Sequence, residues 1–246
     1  MLLAEPPPVA NPSAPYLLLS FKPVGRVRFA REGWQATALG GTTVTNFGKS
    51  GGGSPPAAGR AARSRVLRII GGSWRGRRLR FPPQAGIRPT PDRVRETLFN
   101  WLGPQVPGAR CLDLFAGSGA LGLEALSRGA AHVTFVETDA IAVRELRARL
   151  AEWRATGAQV EHSDALRFLG TAAEAFDIVF LDPPFASSVL ADSCRLLEER
   201  HWLGARALIY VETDARAGLP PLPQTWTVTK AKQAGAVGYH LLARAG

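Results

Sequence analysis

The chain is poor in the residues that staple or anchor a protein. Its 246 residues contain two cysteines, Cys111 and Cys194, and their spacing suggests neither a disulfide framework nor a thiolate metal site. Cys111 falls in an apolar strand pattern and Cys194 in a helical one, so the simple expectation is a reduced, cytoplasmic protein. The four histidines (His132, His162, His201 and His240) are scattered without ligand spacing, and no metal is expected. No run approaches the roughly 18 apolar residues that a membrane-crossing helix needs. The first ten residues hold three prolines and Glu5 but no basic start, unlike a secretory leader.

Positive charge is plentiful but confined. The net charge is +10, and the stretch from Arg60 to Arg95 holds eleven arginines against one acid, Asp92. That stretch alone accounts for the whole excess, so the positive field belongs to one segment. A basic arm favours an anionic partner such as nucleic acid, because arginine clamps phosphate bidentately and stacks on bases. The candidate contacts are Arg68, Trp74, Arg75, Arg77, Arg78, Arg88, Arg93 and Arg95. Trp74 equally suits the core of a small hairpin, and a charge run can be no more than a solvated face.

Composition divides the chain. Residues 1–64 are rich in Pro, Gly and Ser (PPPVANPSAP, GKSGGGSPPAAG) and cannot bury enough surface to offset their ordering entropy. They are expected to be disordered or weakly structured. Alternatively they are an artefact of start-site assignment, since Met1 is the only methionine and a non-Met start such as Val66 would push the assigned start upstream. Residues 65–109 read as a basic arm and a first helix, and 110–246 as an α/β domain. Short strands are expected at 66–70 and 77–81, around GGSWRG. Thr90 is the expected N-cap of a helix with Pro91 in its first position, and Val94, Leu98, Trp101 and Leu102 form its apolar stripe. Strands at 110–115, 132–136, 159–161, 177–181 and 207–212 then alternate with helices near 119–128, 140–153, after Asp164, and 187–201. This alternation predicts a doubly wound parallel sheet. A helixless pair at 226–230 and 237–243 predicts an antiparallel hairpin at one edge.

The first strand runs into Asp113-Leu-Phe115-Ala-Gly117-Ser-Gly119-Ala-Leu-Gly122. Such glycines let backbone approach a ligand at a helix N-terminus. Glu137 closes the next strand, about twenty residues on, where a carboxylate can accept ribose hydroxyls. Alone, this pattern also fits NAD. Asp113 tilts the reading: a carboxylate before the glycines repels a pyrophosphate but favours the ammonium and sulfonium of S-adenosylmethionine. Its alternative role is a cap or turn acid. Asp164, after the third strand, could meet an adenine amino group, cap its own helix, or do both. Phe115, Thr138 and Ala165 are expected to line the same cofactor site.

Strand four ends in Asp182-Pro183-Pro184-Phe185. Consecutive prolines leave the sheet along a stiff path, presenting the Asp182 carboxylate and the Pro183 carbonyl as two fixed acceptors. An exocyclic base amine has the two N–H donors to match, and Phe185 offers a face on which an extruded base can stack.

With those residues in hand, the chain resembles the RsmD family over about residues 66–246. The blocks that carry the likeness are RIIGGSWRGRRL (68–79), RPTPDRVRETLFNWL (88–102), CLDLFAGSGALGLEALSRGA (111–130), FDIVFLDPPF (176–185), LIYVE (208–212) and KAKQAGAVGYHLL (230–242). The resemblance implies a seven-stranded Rossmann-like methyltransferase fold with S-adenosylmethionine as cofactor. It also implies the N2 amine of a guanine in 16S ribosomal RNA as target, either bare or within an assembled small-subunit particle. It places Asp113, Gly117, Gly119, Glu137 and Asp164 at the cofactor, and Asp182 to Phe185 at the base. A monomer is expected. Base identity is inherited from the resemblance, since the tetrapeptide also suits adenine N6. A DNA adenine-N6 methyltransferase is therefore the alternative, with an NAD-dependent oxidoreductase and a non-catalytic RNA-binding module as more distant rivals.

Overall fold

The computed structural model describes residues 65–81, 90–184 and 188–246. The expectations for residues 1–64, Arg88 and Phe185 lie outside the described residues.

A seven-stranded sheet organises the chain. Its strands are β3 (Arg110–Asp113), β4 (His132–Glu137), β5 (Ala158–His162), β6 (Phe176–Leu181), β7 (Leu203–Asp214), β8 (Trp226–Ala234) and β9 (Val237–Arg244). The spatial order is β5-β4-β3-β6-β7-β9-β8. Strands β3 to β7 are mutually parallel. Central strands such as β6 (FDIVFL) are buried at nearly every position, as strands covered on both faces must be. The expected edge hairpin is present, with the last strand, β9, inserted antiparallel between β7 and the outer β8. The chain winds outward from β3 to β5, then returns to lay β6 beside β3 and winds the other way. That reversal parts the loops leaving β3 and β6 and opens a crevice at their carboxyl ends.

Helices cover both faces. On one, α1 (Asp92–Leu102), α2 (Ala120–Ser127) and α3 (Ala140–Glu152) pack Leu98, Phe99, Leu123 and Leu146 onto Cys111, Phe135 and Phe180. On the other, α4 (Ala165–Leu169) and α5 (Val189–Glu199) bring Leu169, Cys194 and Leu197 against Val179, Leu181 and Ile209. Burial pushes both cysteine thiols up to about 12, so they serve as apolar filling rather than as nucleophiles.

The start of α1 departs from expectation. Pro91, not Thr90, occupies the N-cap position, and it makes no side-chain cap bond. The Thr90 hydroxyl is drawn away to two carboxylates, the buried Glu212 (2.9 Å) and the half-buried Asp182 (3.3 Å). Satisfying buried acceptors outweighs the roughly 1 kcal/mol of a surface cap.

The basic arm is a hairpin of β1 (Arg65–Arg68) and β2 (Arg78–Phe81), whose Leu67, Ile69 and Leu79 join the α1–α3 core. It is fastened by Glu124, a fully buried acid in the middle of α2. One carboxylate oxygen accepts from Gly71 N–H and Arg128 Nε, both at 2.8 Å. The other accepts from Ile70 N–H at 2.9 Å and Arg95 Nη1 at 3.5 Å. Arg95 corrects the list of RNA contacts: it has no exposed surface. Its guanidinium also donates to the Arg68 carbonyl (2.9 Å), the Thr90 carbonyl (3.3 Å) and Asp92 (2.6 Å). Its position at i+4 from Pro91, between Val94 and Leu98, turns it inward, where Glu124 compensates its charge.

Glu124→Gln, which keeps the shape but leaves the largely exposed Asp92 as the counter-charge of the buried Arg95, should cost up to about 3–5 kcal/mol of stability. The measurement is the urea midpoint at unchanged m-value; a loss under about 1 kcal/mol would show that the pair holds little together.

Candidate active site

Parallel register lines up the strand ends. Asp113 of β3 pairs with Phe180 of β6 and with Phe135 of β4, so Asp182 and Glu137 each lie two residues past a partner of Asp113. Leu181 pairs with Val211, which sets Asp182 beside Glu212 at the ends of β6 and β7. His162 pairs with Glu137, placing Asp164 two residues beyond on the far side. Asp164, Glu137, Asp113, Asp182 and Glu212 thus follow one another along the carboxyl edge of five adjacent strands. Such a rim disfavours an anionic group and favours a cationic one.

Asp113 lies at its centre and is buried. Its Oδ2 accepts the Gly122 N–H at 3.0 Å, so it serves the cap role while facing the crevice edge. Burial pushes this carboxyl up to about 7; the Gly122 bond opposes the rise and the nearby Glu137 charge adds to it. A buried acid at the edge of ionisation is short of a positive partner.

The glycines do what the spacing requires. Gly117 and Gly119 have φ of +52° and +76°, the left-handed region that L side chains rarely adopt. The Gly117 N–H donates to Glu137 Oε2 at 2.7 Å, and Asp139 N–H to Glu137 Oε1 at 2.8 Å. Glu137, expected to meet ribose hydroxyls, is therefore first the strut that holds the glycine turn against β4, with further lone pairs on both oxygens. At Gly122 a Cβ would lie 2.2 Å from the Phe135 ring, so α2 packs on β4 only without one.

The remaining expected cofactor residues fall around this turn. Asp164 caps α4, its Oδ1 accepting from Leu166 and Arg167 N–H, so the cap alternative holds. Ala165 is buried beneath it and Phe115 packs on the α4–α5 core. The exposed Thr138 donates to Glu137 Oε1 at 3.3 Å, and its carbonyl meets His162 Nε2 at 2.9 Å.

Asp182 leaves β6 followed by the buried Pro183 and the exposed Pro184. Its Oδ2 is 3.3 Å from the Thr90 hydroxyl, which lies 2.9 Å from Glu212 Oε1; Tyr210 donates to that same oxygen at 2.8 Å. Burial, then the charges of Glu212 and Asp113, push the Asp182 carboxyl well above the usual range. Tyr210 and Glu212 were not singled out from the sequence, and Thr90 was expected only as a helix cap. An acid ending the apolar run LIYVE beside the Asp182 strand was the available signal.

The arginines are divided. Arg93, exposed in the first turn of α1, stands near Thr90 and hence near Asp182. The GGSWRG turn lies at the opposite end of α2 from the glycine loop: Ser73 and Trp74 N–H donate to the carbonyl and hydroxyl of Ser127, its last residue. At 1.5 Å per residue, eight residues separate that turn from the loop by about 12 Å. Arg68, Arg75, Arg77 and Arg78 are exposed, but the site does not gather Arg75 and Arg77. Trp74 packs edge-on against Trp153 with ring centroids 5.2 Å apart and Arg77 alongside both rings, which is the core alternative.

The family described as Conserved hypothetical protein 95 matches residues 67–243. The chain is similar to Ribosomal RNA small subunit methyltransferase D of Escherichia coli K12, at 51% identity over 178 residues, covering 72% of this chain and 90% of that protein. It is similar to the Haemophilus influenzae protein of the same name at 46% identity, covering 71% and 92%. The solved structure of the Escherichia coli protein yhhF superimposes with a TM-score of 0.69 at 50% identity, covering 74% of this chain and 99% of that one.

Because the folded pKa of Asp113 (about 7) exceeds the ordinary 3.8, the folded protein retains a proton between those values that the unfolded chain has lost. Stability therefore falls as pH rises through that window and levels off above it. Asp113→Asn, which still accepts from Gly122, should flatten part of this slope in urea unfolding from about pH 4 to 8, leaving the like-signed contributions of Asp182 and Glu212. Identical slopes in the two proteins would refute the assignment.

Proposed function

The chain belongs to the family described as Conserved hypothetical protein 95, the RsmD family, and from that premise we propose that it methylates the exocyclic N2 amine of a guanine in small-subunit (16S) ribosomal RNA, using S-adenosylmethionine. The observation that carries this reading is the adjacency of the β3 and β6 ends. The acid centred in the glycine loop, Asp113, and the acid of the proline loop, Asp182, share one crevice edge. The residues fit the cofactor: a buried Asp113, raised by its burial for want of a positive partner, and the acidic rim suit a ligand bearing ammonium and sulfonium groups, and would repel a dinucleotide pyrophosphate. That disfavours the oxidoreductase.

Asp113 would hold the cationic end of the cofactor and Glu137 its ribose, with Asp164 Oδ2 toward the adenine amine. The bound cofactor supplies a sulfonium-activated methyl group, which needs alignment more than a strong base. The chain supplies that alignment: Asp182 and the Pro183 carbonyl accept the two N–H groups of the amine, turning the nitrogen lone pair toward the crevice. The family resemblance assigns the stacking face for the flipped base to Phe185, which lies outside the described residues. Arg93 steers phosphate near the site, and the Arg75–Arg78 turn reaches RNA about a helix length away. Such an enzyme acts where ribosomal RNA is made, in the cytoplasm, and a single chain carries all the groups invoked.

Incubation with labelled S-adenosylmethionine and either ribosomal RNA or DNA, then nucleoside analysis, should yield N2-methylguanosine from RNA. Recovery of N6-methyladenosine from DNA would favour the adenine alternative. Asp182→Ala should lower kcat at least about 100-fold while cofactor still binds, and full turnover would overturn the role given to that acid. Replacing Arg75, Arg77 and Arg78 together by Ala should weaken RNA binding and flatten its dependence on salt without altering cofactor affinity. RNA affinity unchanged across several salt concentrations would remove the hairpin from the interface.

A further inference from the structure

Glu212 is buried at 3% exposure, and its hydrogen-bond partners among the described residues are two hydroxyls. Both converge on one oxygen: Tyr210 at 2.8 Å and Thr90 at 2.9 Å from Oε1. The Thr90 hydroxyl has a single hydrogen. Directed at Glu212, that hydrogen leaves Thr90 Oγ1 as an acceptor toward Asp182, whose Oδ2 is 3.3 Å away. A buried and a half-buried carboxylate joined through one hydroxyl avoid a double charge by sharing one proton. The doubly donated Glu212 is the natural seat of the charge, and Asp182 keeps the proton. Burial raises both carboxyls; the Glu212 charge adds to the rise at Asp182, which Thr90 alone opposes by hydrogen bonding, whereas bonds from both Tyr210 and Thr90 oppose the rise at Glu212.

The geometry points to Glu212 as the terminal acceptor of the proton released by methyl transfer, reached through Asp182 and the Thr90 hydroxyl. This rests on the base-methylation reading above. As the N–C bond forms and the C–S bond breaks with its electron pair on sulfur, the base nitrogen becomes cationic and must lose a proton. That proton passes to Asp182 Oδ1, the proton on Oδ2 passes to Thr90 Oγ1, and the Thr90 hydrogen passes to Glu212 Oε1. Asp182 and Thr90 end neutral, as they began. Glu212 ends protonated, so its negative charge cancels the positive charge delivered with the methyl group, and no further reactant is required. Glu212 touches neither base nor cofactor; it is a positioning residue that acts through Asp182.

Among the described residues, three titratable groups flank this line. Asp113 on β3 lies beyond Asp182, Tyr210 precedes Glu212 on β7, and Tyr239 pairs with Glu212 from β9. Arg95 of α1 holds the Thr90 carbonyl at 3.3 Å, which fixes the hydroxyl between the two acids. The hydroxyl is thus held from behind by the same guanidinium that fastens the arm.

Two measurements test the relay. In the unliganded protein, carboxyl-carbon NMR should show Asp182 protonated and Glu212 ionised at pH 7, with the Asp182 midpoint falling in Glu212→Gln. Independent titration of both acids at ordinary values would overturn the proposal. In turnover at saturating cofactor, Glu212→Gln and Thr90→Val should each lower kcat about 10- to 100-fold at pH 7 with KM for RNA little changed. The loss should shrink as pH rises and hydroxide takes the proton, and Thr90→Ser should restore the rate. Melting curves identify any variant that fails to fold, and the Val/Ser pair at Thr90 then carries the test. Wild-type kcat and pH profile in both variants would exclude the relay. If the unaltered protein makes no methylated base, the base-methylation reading falls first and the relay with it.

Discussion

The structure hinges on the buried contact between Glu124 and Arg95. Taking both charges out of water is costly, and the attraction between them repays that cost only when the remaining hydrogen-bonding capacity is filled. Here it is filled by backbone. Glu124 takes the amides of Ile70 and Gly71, and Arg95 donates to the carbonyls of Arg68 and Thr90. The pair therefore joins three separate pieces of chain: the arm hairpin, helix α2 behind the glycine loop, and the segment that enters α1. Because that segment bears Thr90, the anchor of a basic arm also positions a hydroxyl between two acids of the crevice rim.

A second constraint is electrostatic. A parallel sheet with helices on both faces ends in a low-dielectric edge, and this edge carries carboxylates on five successive strands. Asp113, Asp182 and Glu212 are all raised, by burial first, with the Glu137 charge adding at Asp113 and the charges of Glu212 and Asp113 adding at Asp182. An edge loaded in this way is destabilised until positive charge arrives or protons are shared. The acidity that strains the unliganded fold is thus the property that would select a sulfonium ligand and absorb the proton its chemistry releases.

The cationic residues divide on the same principle. Arg93 stays in solvent close to the site, Arg75 and Arg77 stay in solvent at the far end of α2, and Arg95 is consumed inside the protein. The exposed arginines are available to a polyanion, and Arg95 is not. Their separation suits a substrate that extends well past one nucleotide, with phosphate contacts positioning it and the crevice reading one base.

Much of this was legible in order and spacing. Alternating strand and helix patterns, with buried runs such as FDIVFL, lead to a parallel sheet because each strand must be covered on both faces. Asp182 was recognisable because two prolines forbid the strand to continue and so expose the acid at a fixed point. Glycines at 117, 119 and 122 mark places where a Cβ is strained or collides. What the sequence could not disclose was the fate of isolated polar residues. Arg95 looks like every other arginine of the arm, Thr90 before a proline looks like a cap, and Glu124 and Glu212 sit in apolar runs with no period of their own. Periodic patterns report a residue's own chain geometry, whereas a buried charge is decided by a partner tens of residues away. Only the tertiary structure brings Glu124 to Arg95 and Thr90 to Glu212, because the desolvation each imposes can be met only across the packed layers.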